Sequence, residues 1–224
     1  MNKNKIFQTN RFKEIERSIK EYINAQSDFL SEHTISSPRA VGDAIQSILE
    51  RGFKDILGET IADYSSDFAR RAMADLAFTD KEGNYYVVDI KTHRLDTHFN
   101  MPNLTSVERL SRFYEDDKNH FVILSLAYTV EKTKVKIKKV HFIPIEFLDW
   151  DCLTLGALGW GQIQIANSNK ILLNERASRK KWMIEMCNRL FSFYDKEIIK
   201  IGNRIKYFKK VKKRWLAKKD HEGV

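Results

Sequence analysis

Asp75 stands fourteen residues ahead of Asp89 in the run Val88-Asp89-Ile90-Lys91. The second half of this pattern, Asn84 to Lys91, is rich in β-branched and aromatic residues and reads as a buried strand, with Lys81-Glu82-Gly83 as the turn before it. Ala72 to Phe78 reads as a short partner strand. Alternate residues of a strand share a face, so Asp89 and Lys91 project together while Val88 and Ile90 face the core. An in-register hairpin brings Asp75 beside Asp89. Two carboxylates next to an ammonium group suit Mg²⁺, which takes oxygen ligands, keeps several waters and shares its shell with phosphate. Such an ion polarises phosphoryl oxygens and acidifies bound water, the chemistry of phosphodiester hydrolysis. The bland alternative is an edge hairpin whose Asp and Lys form a solvated cross-strand pair.

The elements around this hairpin must position it. Apolar residues recur at helical spacing over 10–33, from Phe12 to Leu30. Ser36-Ser37-Pro38 starts a second helix over 38–57, with Val41, Ile45, Ile48, Leu49, Phe53 and Ile56 inward. Asp43, Gln46 and Glu50 share another stripe of that helix. Past the hairpin, the pattern predicts a helix over 104–116, a buried strand over 120–129, a strand over 135–145, a glycine- and amide-rich loop over 156–170, and helices over 177–195 and 196–218. The expected fold is α/β (α+β): a mixed central sheet flanked by helices, in one domain spanning 1–224.

The chain has 224 residues and 42% hydrophobic content, enough for one sizeable core. Its net charge of +9 is local. Ten Lys or Arg and no acidic residue lie between Ile198 and Lys219; without them 29 basic residues face 30 acidic ones. That field suits a polyanion, and a membrane surface would also accept it. Cys152 and Cys187 show neither metal spacing nor a disulfide framework, and no signal peptide or membrane-length apolar run is evident, so a reduced, cytoplasmic protein is expected.

These residues resemble the PD-(D/E)xK nuclease superfamily and, within it, the EcoRV and HincII branch of type II restriction endonucleases. Val88-Asp89-Ile90-Lys91-Thr92 is similar to that branch's strand end, and Asn103-Leu104-Thr105-Ser106 before a helix and a buried strand follows the same order. Gly159-Trp160-Gly161-Gln162-Ile163-Gln164 sits where the branch has its recognition loop. Ala74 departs from the pattern, which has proline there; that proline is not a ligand. The resemblance implies a restriction-endonuclease-like core, with Asp75, Asp89 and the Ile90 carbonyl as Mg²⁺ ligands and Lys91 as catalytic lysine. It adds an acid from the preceding helix, Glu50 first and Asp43 second. It also implies a homodimer that cuts palindromic double-stranded DNA bluntly, with no small-molecule cofactor and no membrane.

Glycines let a backbone approach bases. Gln162, Gln164, Asn167 and Asn169 can pair bidentately with adenine, which points to an A·T-rich site, and Trp160 can meet a thymine methyl or a base face. Asn103, Thr105 and Ser106 can touch DNA or cap a helix. The helix over 196–218 is amphipathic with a basic exterior suited to phosphate contacts. Two alternatives stay open: a repair or junction-resolving nuclease, and a DNA-binding protein without catalysis.

Overall fold

The computed structural model describes residues 5–26, 29–65, 74–97 and 100–218. The chain divides into two compact units, residues 1–178 and 179–224.

The first unit is mixed α/β. A short helix α1 (Lys5–Gln8) precedes α2 (Arg11–Asn24), which buries Phe12, Ile15, Ile19 and Ile23. The predicted helix over 10–33 stops early at Asn24, whose side chain is engaged elsewhere. Its amide nitrogen donates to the Ile137 carbonyl (3.2 Å) and its oxygen accepts from the Ile137 N–H (2.7 Å). After the four-residue α3 (Glu32–Ile35) comes α4 (Pro38–Leu57), with the predicted bounds. Ser37 caps it by accepting from Ala40 N–H, Pro38 opens its first turn, and Gly58 ends it at φ 58°.

Strands β1 (Ile61–Ser65), β2 (Leu76–Asp80), β3 (Tyr85–Arg94), β5 (Asn119–Glu131) and β6 (Lys134–Pro144) form a sheet in the order β1-β2-β3-β5-β6. Strand β3 pairs antiparallel with β2 and parallel with β5. Helix α5 (Val107–Phe113), shorter than the predicted 104–116, lies in the crossover between them. Strand β1 was not predicted, because its half-exposed edge residues carry no apolar alternation.

A second, antiparallel sheet has the order β4-β8-β7, from β4 (Asn103–Ser106), β7 (Leu153–Gly156) and β8 (Gln162–Ile165). This corrects the predicted loop over 156–170. Gln162-Ile163-Gln164-Ile165 alternates with period two and buries both isoleucines. The turn proper is confined to 157–161, where Gly159 and Gly161 take positive φ.

The second unit contains one helix, α6 (Arg179–Leu216), of 38 residues. The two helices predicted there are continuous, since neither proline nor a capping residue interrupts them. Among the described residues no helix is long and apolar enough to cross a membrane.

Candidate active site

Hairpin β2–β3 carries the site. Its turn is closed by Asp80, and Gly83 takes φ 79°, a conformation that favours glycine. Leu76 pairs with Val88, and the Asp75 N–H donates to the Val88 carbonyl at 2.9 Å. Asp75 thus enters at the strand start, and residues 72–73 of the predicted strand lie outside the described residues. The Asp75 carboxylate reaches across: its Oδ2 accepts from the Ile90 N–H at 2.7 Å. Lys91 Nζ donates to Asp89 Oδ1 at 2.7 Å, so the two share a face, while Val88 and Ile90 are buried.

Helix α4 closes the site from one side. Gln46 Nε2 donates to Glu50 Oε1 and to Asp75 Oδ1, both at 3.1 Å. One amide therefore links the helix acid to the strand acid. Glu50 joins the cluster through Gln46, whereas exposed Asp43 lines a cavity of about 200 Å³ with Arg39, Gln46, Lys91 and Thr92. The helix sits close to the strand at Gly42, where a Cβ would come within 2.6 Å of Thr92 Oγ1. Gln46 had no assigned role in the sequence reading. The signal was its place on the Asp43–Glu50 stripe, four residues before Glu50.

Asp89 is 6% exposed, and its Oδ2 is buried without a hydrogen-bond partner. Burial pushes its pKa up to about 7; Lys91 opposes the shift, and the Asp75 charge adds to it. A desolvated carboxylate oxygen lacking a donor is the kind of group a cation satisfies. Among the described residues no group of three or more His, Cys, Asp or Glu is placed to hold a metal. The residues present fit a hard ion held by Asp75, Asp89 and the Ile90 carbonyl, with water completing the shell.

The raised pKa has a sign. Between the ordinary aspartate value of 3.8 and about 7 the folded chain keeps a proton that the unfolded chain has lost. Metal-free stability therefore falls as pH rises through that window. A bound cation must displace the same proton. Mg²⁺ affinity is expected to climb up to roughly tenfold per pH unit below about 7 and to level off above it. Calorimetric titration from about pH 5.5 to about pH 8 checks this, and an affinity indifferent to pH would remove Asp89 from the ligand set.

The residues assigned to DNA reading separate into groups. Trp160 lies at the 157–161 turn and is 60% exposed. Gln162 and Gln164 alternate with buried isoleucines on β8, and Gln164 Nε2 donates to Asn103 Oδ1 across the pairing at 2.5 Å. Asn167 Oδ1 accepts from the Asn169 N–H, an Asx turn. Asn169 is exposed, and its side chain also reaches inward. Its Oδ1 is 2.6 Å from His93 Nε2, and Ser168 Oγ is 3.2 Å from His93 Nδ1. Thr105 is buried and Ser106 caps α5 by accepting from the Arg109 N–H, which removes Thr105 from any DNA-facing surface. His93 went unnoticed in the sequence because its partners lie 75 and 76 residues away.

The chain matches no known protein-family model, and no curated protein is significantly similar to it.

Proposed function

We propose that this chain is a Mg²⁺-dependent type II restriction endonuclease of the PD-(D/E)xK superfamily, resembling the EcoRV and HincII branch. In this reading it acts as a homodimer on palindromic, A·T-rich double-stranded DNA and leaves blunt ends. The observation that carries the reading is the hairpin itself: Asp75 clamped to the Ile90 N–H, with Asp89 and Lys91 paired on the adjoining face. The order of helix α4, hairpin β2–β3, the α5 crossover and parallel β5 supports this reading.

Asp75, Asp89 and the Ile90 carbonyl would hold the ion, which would supply Lewis acidity toward the phosphate and a more acidic water. Lys91, anchored by Asp89, orients the attacking water and offsets charge growing on phosphorus. Water oxygen bonds to phosphorus as the bond to the 3′ oxygen breaks; the water proton passes to solvent, and the departing 3′ oxygen takes a proton from solvent water. The products are a 5′-phosphate and a 3′-hydroxyl. The exposed turn at Trp160, with Gln162 beside it, is the candidate base reader.

Long, sequence-complex duplex DNA with Mg²⁺ tests the proposal. Discrete fragments are expected, lost without metal and in Lys91→Ala, and sequencing their ends reads out site and cut geometry together. Binding with no cutting of any duplex would retire the catalytic reading. Cutting confined to branched or mismatched DNA would replace it with a repair nuclease.

A further inference from the structure

Helix α6 carries an exposed apolar seam with a seven-residue repeat. Phe191, Tyr194, Ile198, Ile201, Ile205 and Phe208 follow one another at alternating steps of three and four, and all are exposed. The same steps extend back to exposed Cys187 and Ile184, and forward to Lys212 and Trp215. The helix's buried side chains, Trp182, Met186 and Leu190, fall at other positions of the repeat.

From this we infer that α6 pairs with α6 of a second copy of the chain as an antiparallel two-stranded coiled coil. The period argues for a helical partner. A strict heptad drifts by ~20° per repeat on a straight helix, so over this length the seam turns by roughly 90°. A flat bilayer surface cannot follow that path. A supercoiling helix can, with these residues as the a and d positions.

Charge selects the partner's direction. The acids of α6 are Glu185, Asp195 and Glu197, whereas Ile198 to Lys219 contains only basic charges. Parallel copies would lay the two basic halves together and set Lys212 against its own counterpart in the seam. An antiparallel pair centred between Ile198 and Ile201 sets each basic half against an acid-bearing half. In that register Ile198 meets the partner copy's Ile201, and Tyr194 meets its Ile205. Phe191 meets Phe208, Cys187 meets Lys212 and Ile184 meets Trp215. Glu197, which accepts from Lys200 within the helix, also comes beside Arg204 of the other copy. Every seam position finds its complement under one two-fold axis, as an isologous interface requires.

The pairing stands on the helix alone, so its test does not depend on DNA cleavage. Sedimentation of the full chain over a micromolar dilution series is expected to give a dimer. The double variant Ile201→Glu and Ile205→Glu should run at half that mass with unchanged helical circular dichroism. Mild oxidation should leave the wild type uncrosslinked, because its two Cys187 thiols lie far apart. Lys212→Cys should yield a covalent dimer through Cys187 of the other copy. A monomeric wild type overturns the inference. So does a double variant that stays dimeric, a Cys187–Cys187 crosslink in the wild type, or a chain that remains monomeric and binds vesicles of anionic phospholipid.

Discussion

Asp89→Asn is expected to abolish cleavage while making the metal-free protein more stable at alkaline pH. The asparagine keeps the shape of the carboxylate and loses its charge, so the ion loses a ligand and Lys91 its anchor. Loss of a ligand and of the preorganised lysine together should cost at least about 10³-fold in cleavage rate. The stability effect runs the other way. Above about pH 7 the wild-type side chain is ionised, almost wholly buried, and has one oxygen without a donor. Removing that charge should stabilise the metal-free fold by up to about 4 kcal/mol at pH 8, with a matching rise in melting temperature. Below the ordinary aspartate value of 3.8 the folded and unfolded chains both hold the proton, and the difference should vanish. Melting curves at the two pH values, beside a cleavage assay, read both effects. Full cleavage by the variant would make the acid structural. A loss of stability at both pH values would show that burial is not what raises its pKa.

The second large effect is expected at Asp80, far from any proposed chemistry. Its carboxylate is 2% exposed and closes the β2–β3 turn. Oδ1 accepts from the N–H groups of Glu82 (3.0 Å) and Asn84 (2.8 Å). Oδ2 accepts from Asn84 Nδ2 and from the Tyr86 hydroxyl, both at 2.8 Å. The Tyr86 ring stacks on Phe78 at 4.5 Å and on His120 at 4.9 Å, so its hydroxyl has little room to turn elsewhere. Burial, then the Asp80 bond and charge, drive the Tyr86 pKa upward, which keeps it a donor. Asp80→Ala strips four donors of their acceptor in a buried place and should cost about 3–5 kcal/mol. Urea unfolding measures this directly, and a midpoint close to wild type would mean that water replaces the carboxylate at little cost.

The parts of the fold legible in the sequence were those with strong local signals. Helix α4 announced itself through Ser37, Pro38 and a clean apolar stripe, and strand β3 through its β-branched run. The relation of Asp89 to Lys91 followed from the two-residue period alone. What escaped depended on distant partners or on the absence of a break. Asn24 ends α2, and its side chain bonds both the N–H and the C=O of Ile137, over a hundred residues later. Gln46 acts only where α4 meets Asp75, and His93 only where Ser168 and Asn169 fold back onto it. The polar glutamines of β8 read as loop, although their alternation with isoleucine marks a strand. Residues 177–218 read as two helices, although nothing between Asp195 and Ile198 stops a helix and α6 is continuous.

Strand β3 occupies the middle of the five-stranded sheet, with β2 and β1 on one flank and β5 and β6 on the other. Local fluctuations that peel an edge strand therefore leave its backbone hydrogen bonds intact on at least one side. Its amide protons should be among the last in the chain to trade with solvent deuterium, released on the time of whole-unit opening rather than of fraying. Asp89 and Lys91 thus ride on one of the slow clocks of the molecule.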